Sequence, residues 1–237
     1  MRIDILTTFV EMFRGPFDES IIKRGQESGR IEIAVHNLRE WTQDRHNKTD
    51  DEQYGGGEGM VMLAEPILRA LRNLQNQTSE PSTLIHTTPQ GQRFTQPVAE
   101  QLALSQHLII LCGHYKGIDE RVVDILAPLE LSIGDYILTG GELPAMVITD
   151  AVVRLVPGVV GSAGSVEEDS FTRGLLDCPR YTRPRAVEGH AVPEVLLSGN
   201  HAEIERWRHE EALLRTAKRR PDLLETYLSD SQEGSAH

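Results

Sequence analysis

Five short apolar runs recur along the first two-thirds of the chain, and their patterns predict strands of different kinds. Arg2 to Phe9 reads as the first. Ile31, Ile33 and Val35 alternate with Glu32 and Ala34, a period of two that predicts the second. Ser82 to Thr87 is the third, and Leu108 to Cys112 the fourth. The fourth, Leu-Ile-Ile-Leu-Cys, is uniformly apolar, as a parallel strand covered on both faces should be. Leu129 to Ile133 is the fifth. Helical patterns separate them: Phe17 to Ser28, stopped by Gly29; Glu65 to Leu74; Gln96 to Gln106; and Asp119 to Leu126. Pro66 sits in a first helical turn, where its missing N–H costs nothing. This alternation through residue 156 predicts an α/β domain with a parallel sheet, whose ligands bind outside the carboxyl ends of the strands.

Three of the predicted strands open into glycine-bearing turns. These are Thr88-Pro89-Gln90-Gly91-Gln92, Gly113-His114-Tyr115-Lys116-Gly117, and the long stretch from Leu131 to Pro144. The last has Gly134, Gly140 and Gly141, which allow positive φ and close approach to a ligand. A lone Gly-Gly before a helix is ordinary punctuation. Three such turns at one end of a sheet make a ligand site. The helix that follows, Glu142 to Val156, is apolar around most of its circumference and must be covered on nearly all sides. A partner subunit covers it economically, which predicts a homodimer. Asp150 and Arg154 form its polar strip, at the spacing of a common helix ion pair.

Asn37 to Met60 lacks periodicity and carries Gly55, Gly56, Gly57 and Gly59. It is either a mobile surface loop or a substrate loop. Met60 stands where a dinucleotide fingerprint needs its third glycine, and the chain has no Walker loop. Beyond Pro157-Gly158 the composition shifts. Gly161 to Ser170 resembles a linker, and within it Asp169 reads locally as a solvated carboxylate. Cys178 to Pro193 is rich in Pro and Arg, Ser198-Gly199-Asn200-His201 caps a charged helix, and Ser229 to His237 reads as frayed. Residues 1–160 are expected to form one domain, 161–176 a linker and 177–237 a small helical domain. Arg206, Arg208, Arg215, Lys218, Arg219 and Arg220 concentrate positive charge in that last part. They either neutralise phosphates or balance the glutamates of a solvated helix.

At 237 residues the chain can bury a sizeable core. Its net charge of −12 excludes nonspecific coating of nucleic acid but not a local basic face. Two separated cysteines, Cys112 and Cys178, give no disulfide framework. Met-Arg-Ile-Asp-Ile-Leu has no signal-peptide core, and no apolar run approaches membrane-spanning length. A soluble cytoplasmic protein without membrane association is expected.

Several long ordered motifs resemble the bacterial tRNA (guanine37-N1)-methyltransferases, the TrmD family of the knotted SPOUT class. They are Tyr54-Gly55-Gly56-Gly57-x-Gly59-Met60, Gly113-x-Tyr115-x-Gly117-Ile118-Asp119-Glu120-Arg121, Ser132-Ile133-Gly134-Asp135-Tyr136 and Thr139-Gly140-Gly141-Glu142-Leu143-Pro144. Further along come Glu168-Asp169-Ser170-Phe171, Leu175-Leu176-Asp177-Cys178-Pro179 with Tyr181-Thr182-Arg183-Pro184, and Leu197-Ser198-Gly199-Asn200-His201-Ala202. The resemblance covers almost the whole chain.

It implies that the three turns form a deep trefoil knot at a homodimer interface and bind S-adenosylmethionine there. The cofactor residues it implies are Thr87, Thr88, Pro89, Gln90, Gly113, Tyr115, Ser132, Ile133, Gly134, Asp135, Tyr136, Ile137, Leu138, Gly140, Gly141 and Pro144. Asp169 takes the role of general base for guanine N1, and Arg154 that of stabilising charge on O6. Gly55, Gly56, Gly57, Gly59, Arg183, Ser198, Asn200, His201, Arg206 and Arg208 are the implied RNA-binding residues. No protein metal ligand is implied, although the family's chemistry leaves room for magnesium. The chain departs from the familiar pattern at His114-Tyr115-Lys116, where Arg-Tyr-Glu is expected and a base replaces an acid. Gln53, Glu58 and Arg180 are lesser departures. Two alternatives stay open at this point: a noncatalytic RNA-binding protein of the same fold, and a knotted methyltransferase acting on another nucleotide.

Overall fold

The computed structural model describes residues 1–161 and 168–233, with side chains to residue 230. The chain divides into two compact units, Met1–Gly161 and Ser162–His237. In the first unit, β1 (Arg2–Thr7), β2 (Glu32–Asn37), β5 (Ser82–Arg93), β6 (His107–Cys112) and β7 (Leu129–Ser132) form a parallel sheet in the order β2-β1-β6-β5-β7. The apolar run of β6 is explained by its place at the centre. Leu108, Ile110 and Cys112 face one core, with Ile3, Ile5 and Ile85. Ile109 and Leu111 face the other, with Leu6 and Leu84.

Helices cover both faces. Three helices, α1 (Ser20–Glu27), α3 (Gln96–Ala103) and α5 (Glu142–Val153), supply Ile22, Leu102, Ile148 and Val152 to the first core. Two others, α2 (Ala64–Gln75) and α4 (Glu120–Leu126), supply Ile67, Leu71, Leu74 and Val122 to the second. The expected strand and helix segments of this unit are all present, with ends differing by a few residues.

Two segments differ from expectation. The 37–60 stretch contains structure: a 3-10 turn at Leu38–Trp41 and an antiparallel pair of β3 (Asp50–Glu52) and β4 (Met60–Met62). Too short to show periodicity, these strands are held by pairing. Met62 N–H donates to Gly117 O and Asp119 N–H to Met62 O, both at 3.0 Å. The third predicted strand does not end at Thr87 either. Thr87 and Gln92 both pair with Leu131, so the residues between them are extruded and the strand resumes to Arg93. A Cβ on Gly91 would collide with the Glu130 backbone, which is why the extrusion needs glycine there.

The second unit contains a hairpin of β8 (Ala186–Val187) and β9 (His190–Ala191), a 3-10 turn at Glu194–Leu197, α6 (His201–Arg219) and α7 (Pro221–Glu233). Asn200 caps α6, its side-chain oxygen accepting from Glu203 N–H at 3.4 Å. The frayed end expected from Ser229 onward is helical to Glu233, and residues 234–237 lie outside the described residues. Of the expected linker, residues 162–167 also lie outside them. The part that follows is packed: Leu175 is buried, and Leu176 N–H donates to the buried Thr216 hydroxyl at 2.9 Å. Among the described residues no helix is long and apolar enough to cross a membrane.

Candidate active site

At the carboxyl ends of β5, β6 and β7 the three glycine-bearing turns surround one cleft. Paired Thr87 and the extruded Thr88, Pro89 and Gln90 of β5 line it, and the turn after β6 brings Gly113 and Tyr115. The long turn after β7 supplies Ser132, Ile133, Gly134, Tyr136, Ile137, Leu138, Gly140 and Gly141, and α5 adds Pro144. Its cavity volume is about 150 Å³, and the cleft opens to solvent. Asp135 is the exception among the expected cofactor residues. It is not in the lining, and its carboxylate accepts from Arg93 at 2.9 Å. His86, His114, Lys116, Gly117, Leu131 and Thr139 also line the cleft; all but His86 lie in the glycine-bearing turns that the sequence assigned to a ligand, although none is among the expected cofactor residues.

The floor is a close backbone crossing. Gly141 N–H donates to Gly113 O at 2.7 Å, and the Thr87 hydroxyl, at 3.2 Å from both, bridges the carbonyls of Leu111 and Gly141. A Cβ on Gly141 would overlap Thr87 Oγ1 and lie 2.8 Å from Gly113 N. Glycine is required there by space rather than by φ, which is −82°.

Beneath the cleft, Glu142 is 1% exposed. One carboxylate oxygen accepts from the Thr7 hydroxyl at 2.8 Å, and the other lies 3.5 Å from His114 Nδ1. Burial pushes the Cys112 thiol far up, and Glu142 adds to the effect, so this sulfur is a neutral core atom rather than a nucleophile. Burial likewise lowers the His86 imidazole against the pull of Glu130, whose carboxylate is 3.2 Å away. Burial and Asp50 raise the Tyr115 phenol, which stays protonated at neutral pH.

The expected catalytic pair falls on different units. Arg154 is partly buried at the carboxyl end of α5, its N–H donating to Asp150 O at 3.3 Å. Asp169 is partly buried in the second unit and lines a cleft there with Arg173, Asp177, Arg180, Arg208 and His209. Arg208 pairs with Glu205 at 2.7 Å. Arg206, Arg183, Ser198, Asn200 and His201 are exposed on the same unit. Gly55, Gly56, Gly57 and Gly59 all take positive φ in the loop between β3 and β4. Among the described residues no cluster of three His, Cys, Asp or Glu side chains offers a metal site. Among the described residues the cleft lining holds no Asp or Glu carboxylate, the side-chain ligand that magnesium usually takes.

Residues 1–226 match the family described as tRNA (Guanine-1)-methyltransferase TrmD. A tRNA (guanine-N(1)-)-methyltransferase of Dictyoglomus turgidum is 56% identical over 225 residues, covering 95% of this chain and 90% of the relative. One of Desulforamulus reducens is 53% identical over 225 residues, covering 94% and 89%. One of Bacillus cereus is 53% identical over 233 residues, covering 98% and 96%. The chain belongs to this family.

Proposed function

We propose that the protein methylates N1 of guanosine 37 in tRNA, just 3′ of the anticodon, with S-adenosylmethionine as methyl donor. It is an enzyme, a tRNA guanine-N1 methyltransferase. The observation that carries the reading is the cleft of glycine turns at the carboxyl end of a parallel sheet, in a chain matched by this family along nearly its whole length. Support for the donor comes from the lining itself: three glycine-bearing turns border the cleft, and the tight packing at Gly141 holds two of them together at its floor.

S-adenosylmethionine supplies an electrophilic methyl on a sulfonium. The protein's task is to make guanine N1 a nucleophile. Neutral guanine holds a proton on N1; Asp169 would accept it as N1 bonds to the methyl group, whose bond to sulfur breaks with the electron pair left on a neutral thioether. Charge developing on O6 is met by the Arg154 guanidinium. Arg183, Arg206 and Arg208, with Ser198, Asn200 and His201 at the start of α6, hold the anticodon arm through its phosphates. The glycine loop at 55–59 receives the target base, flipped from its stack.

The active protein in this proposal is a cytoplasmic homodimer whose turns form the trefoil knot of the class. Support comes from α5, where Leu143 and Val147 are 46% and 48% exposed in the single chain, one turn apart. Tyr136, Ile137 and Leu138 in the preceding turn are exposed as well, and a second subunit would cover apolar surface of this kind. The proposed division is a knotted methyltransferase domain at 1–160, a connecting segment at 161–176 whose last residues pack on the second unit, and a tRNA-binding domain at 177–237.

The test is transfer of labelled methyl from S-adenosylmethionine to an unmodified transcript with guanosine at 37, beside one with adenosine there. Methylation of the first alone, lost in Asp169→Ala, is expected. Bound cofactor without transfer to either transcript would favour a noncatalytic RNA-binding protein instead. Equal methylation of both would point to another nucleotide.

A further inference from the structure

Among the described residues the lining of the cleft contains no carboxylate, and Lys116 is its one ammonium. Lys116 is also tied to the glycine loop. Its N–H donates to Met60 O at 3.0 Å, and its alkyl stem lies along Gly59 so closely that a Cβ there would be 2.9 Å from Cγ and 3.0 Å from Cε. The preceding residue, Tyr115, takes a left-handed φ of 59° and sets its phenol beside Asp50 and Arg39. This turn therefore touches the cleft on one side and the 37–60 excursion on the other.

S-adenosylmethionine has a carboxylate at its amino-acid end, and the lining offers that anion one full positive charge. We propose that Lys116 is a positioning residue: its ammonium pairs with the carboxylate of the bound donor while its stem seats the glycine loop against the cleft. The inference rests on the cleft being the donor site. An exposed ammonium is held by salt-screened attraction, so its effect is modest, about fivefold in affinity. Its structural consequence is larger, because an anchored Lys116 restrains Gly59 and the loop it belongs to. Donor occupancy thereby orders the loop proposed to receive the base.

Calorimetric titration of the full chain with S-adenosylmethionine and with its decarboxylated analogue tests this. The two compounds share the sulfonium, the amine and the adenosine, and differ only in the anion. The wild type should prefer the carboxylated compound by about fivefold. Lys116→Met should bind both alike, and Lys116→Arg should keep the preference. Amide exchange of residues 55–60 should slow on binding S-adenosylmethionine in the wild type and not in Lys116→Met. A Lys116→Met protein that retains the full preference overturns the proposal, as does loss of affinity for both compounds in equal proportion. If the wild type binds neither, the donor reading of the cleft fails, and the role of Lys116 fails with it.

Discussion

Replacing Gly141 by alanine tests the architecture of the cleft with one methyl group. Because φ at 141 is −82°, alanine meets no backbone penalty, and any cost is spatial. The new Cβ would overlap Thr87 Oγ1 and sit 2.8 Å from Gly113 N, where ordinary contact starts near 3.4 Å. The turn must therefore retreat by roughly 0.6 Å from Gly113, the difference of those two distances. Retreat breaks or stretches the Gly141 N–H bond to Gly113 O and the Thr87 bond to Gly141 O. At about 1 kcal/mol for each, with overpacking of about 1–3 kcal/mol, the variant should lose about 3–5 kcal/mol of stability. Urea denaturation measures this as a shift in midpoint at constant slope. Thr87→Ala removes one of the two colliding groups, so the double variant should be more stable than the sum of the single losses. S-adenosylmethionine affinity should fall at least tenfold in Gly141→Ala. A variant within 0.5 kcal/mol of wild type that binds the donor normally would show that the turns do not cross as described.

Three further predictions concern groups away from the cleft. Asp4 is fully buried on β1, its carboxylate accepting from Arg2 and lying 2.7 Å from both His36 Nε2 and His107 Nε2. Asp4→Asn leaves Arg2 without its counter-charge and should cost about 3–5 kcal/mol in denaturant titration. Burial pushes the Asp4 carboxyl up, but hydrogen bonds from His36, Arg2 and His107 outweigh it and hold it well below the carboxylate range. A depressed folded pKa gives stability that is full above the unfolded value near 4 and is lost as pH falls further. Stability of the wild type should thus decline below about pH 4 more steeply than that of Asp4→Asn. In the second unit, Thr216→Val leaves the Leu176 N–H without its 2.9 Å acceptor and should cost about 1–3 kcal/mol, read from amide exchange across residues 168–230.

The sheet was legible because its central strand is apolar on both faces and its flanking helices keep a period near 3.6. Strand order was not, since a run such as Leu108 to Cys112 says that it is central but not which strands flank it. The hairpins were also hidden. With strands of two or three residues, β8–β9 and β3–β4 offer no periodicity to detect, and their pairing is decided by contacts such as Met62 with Gly117. The extrusion in β5 was half legible. Thr88 to Gln92 read correctly as a turn, but nothing local shows that the strand resumes and pairs again with Leu131 and Ser132.

At the cleft, local rules located the turns and missed what fixes them. Glu142 looks like an ordinary acid in the first turn of a helix, favourable to the helix dipole and expected in solvent. It is instead buried and receives a hydrogen bond from Thr7, 135 residues earlier. Its second oxygen faces His114 Nδ1, and a Cβ on Gly140 would run into both atoms. Gly140 and Gly141 are therefore glycine for separate reasons, one imposed by a buried polar pair and the other by the Thr87–Gly113 backbone crossing. Neither reason lies within the turn itself. The sequence can mark such a pair as punctuation, but the chemistry that requires it comes from strands β1, β5 and β6 meeting at one end of the sheet.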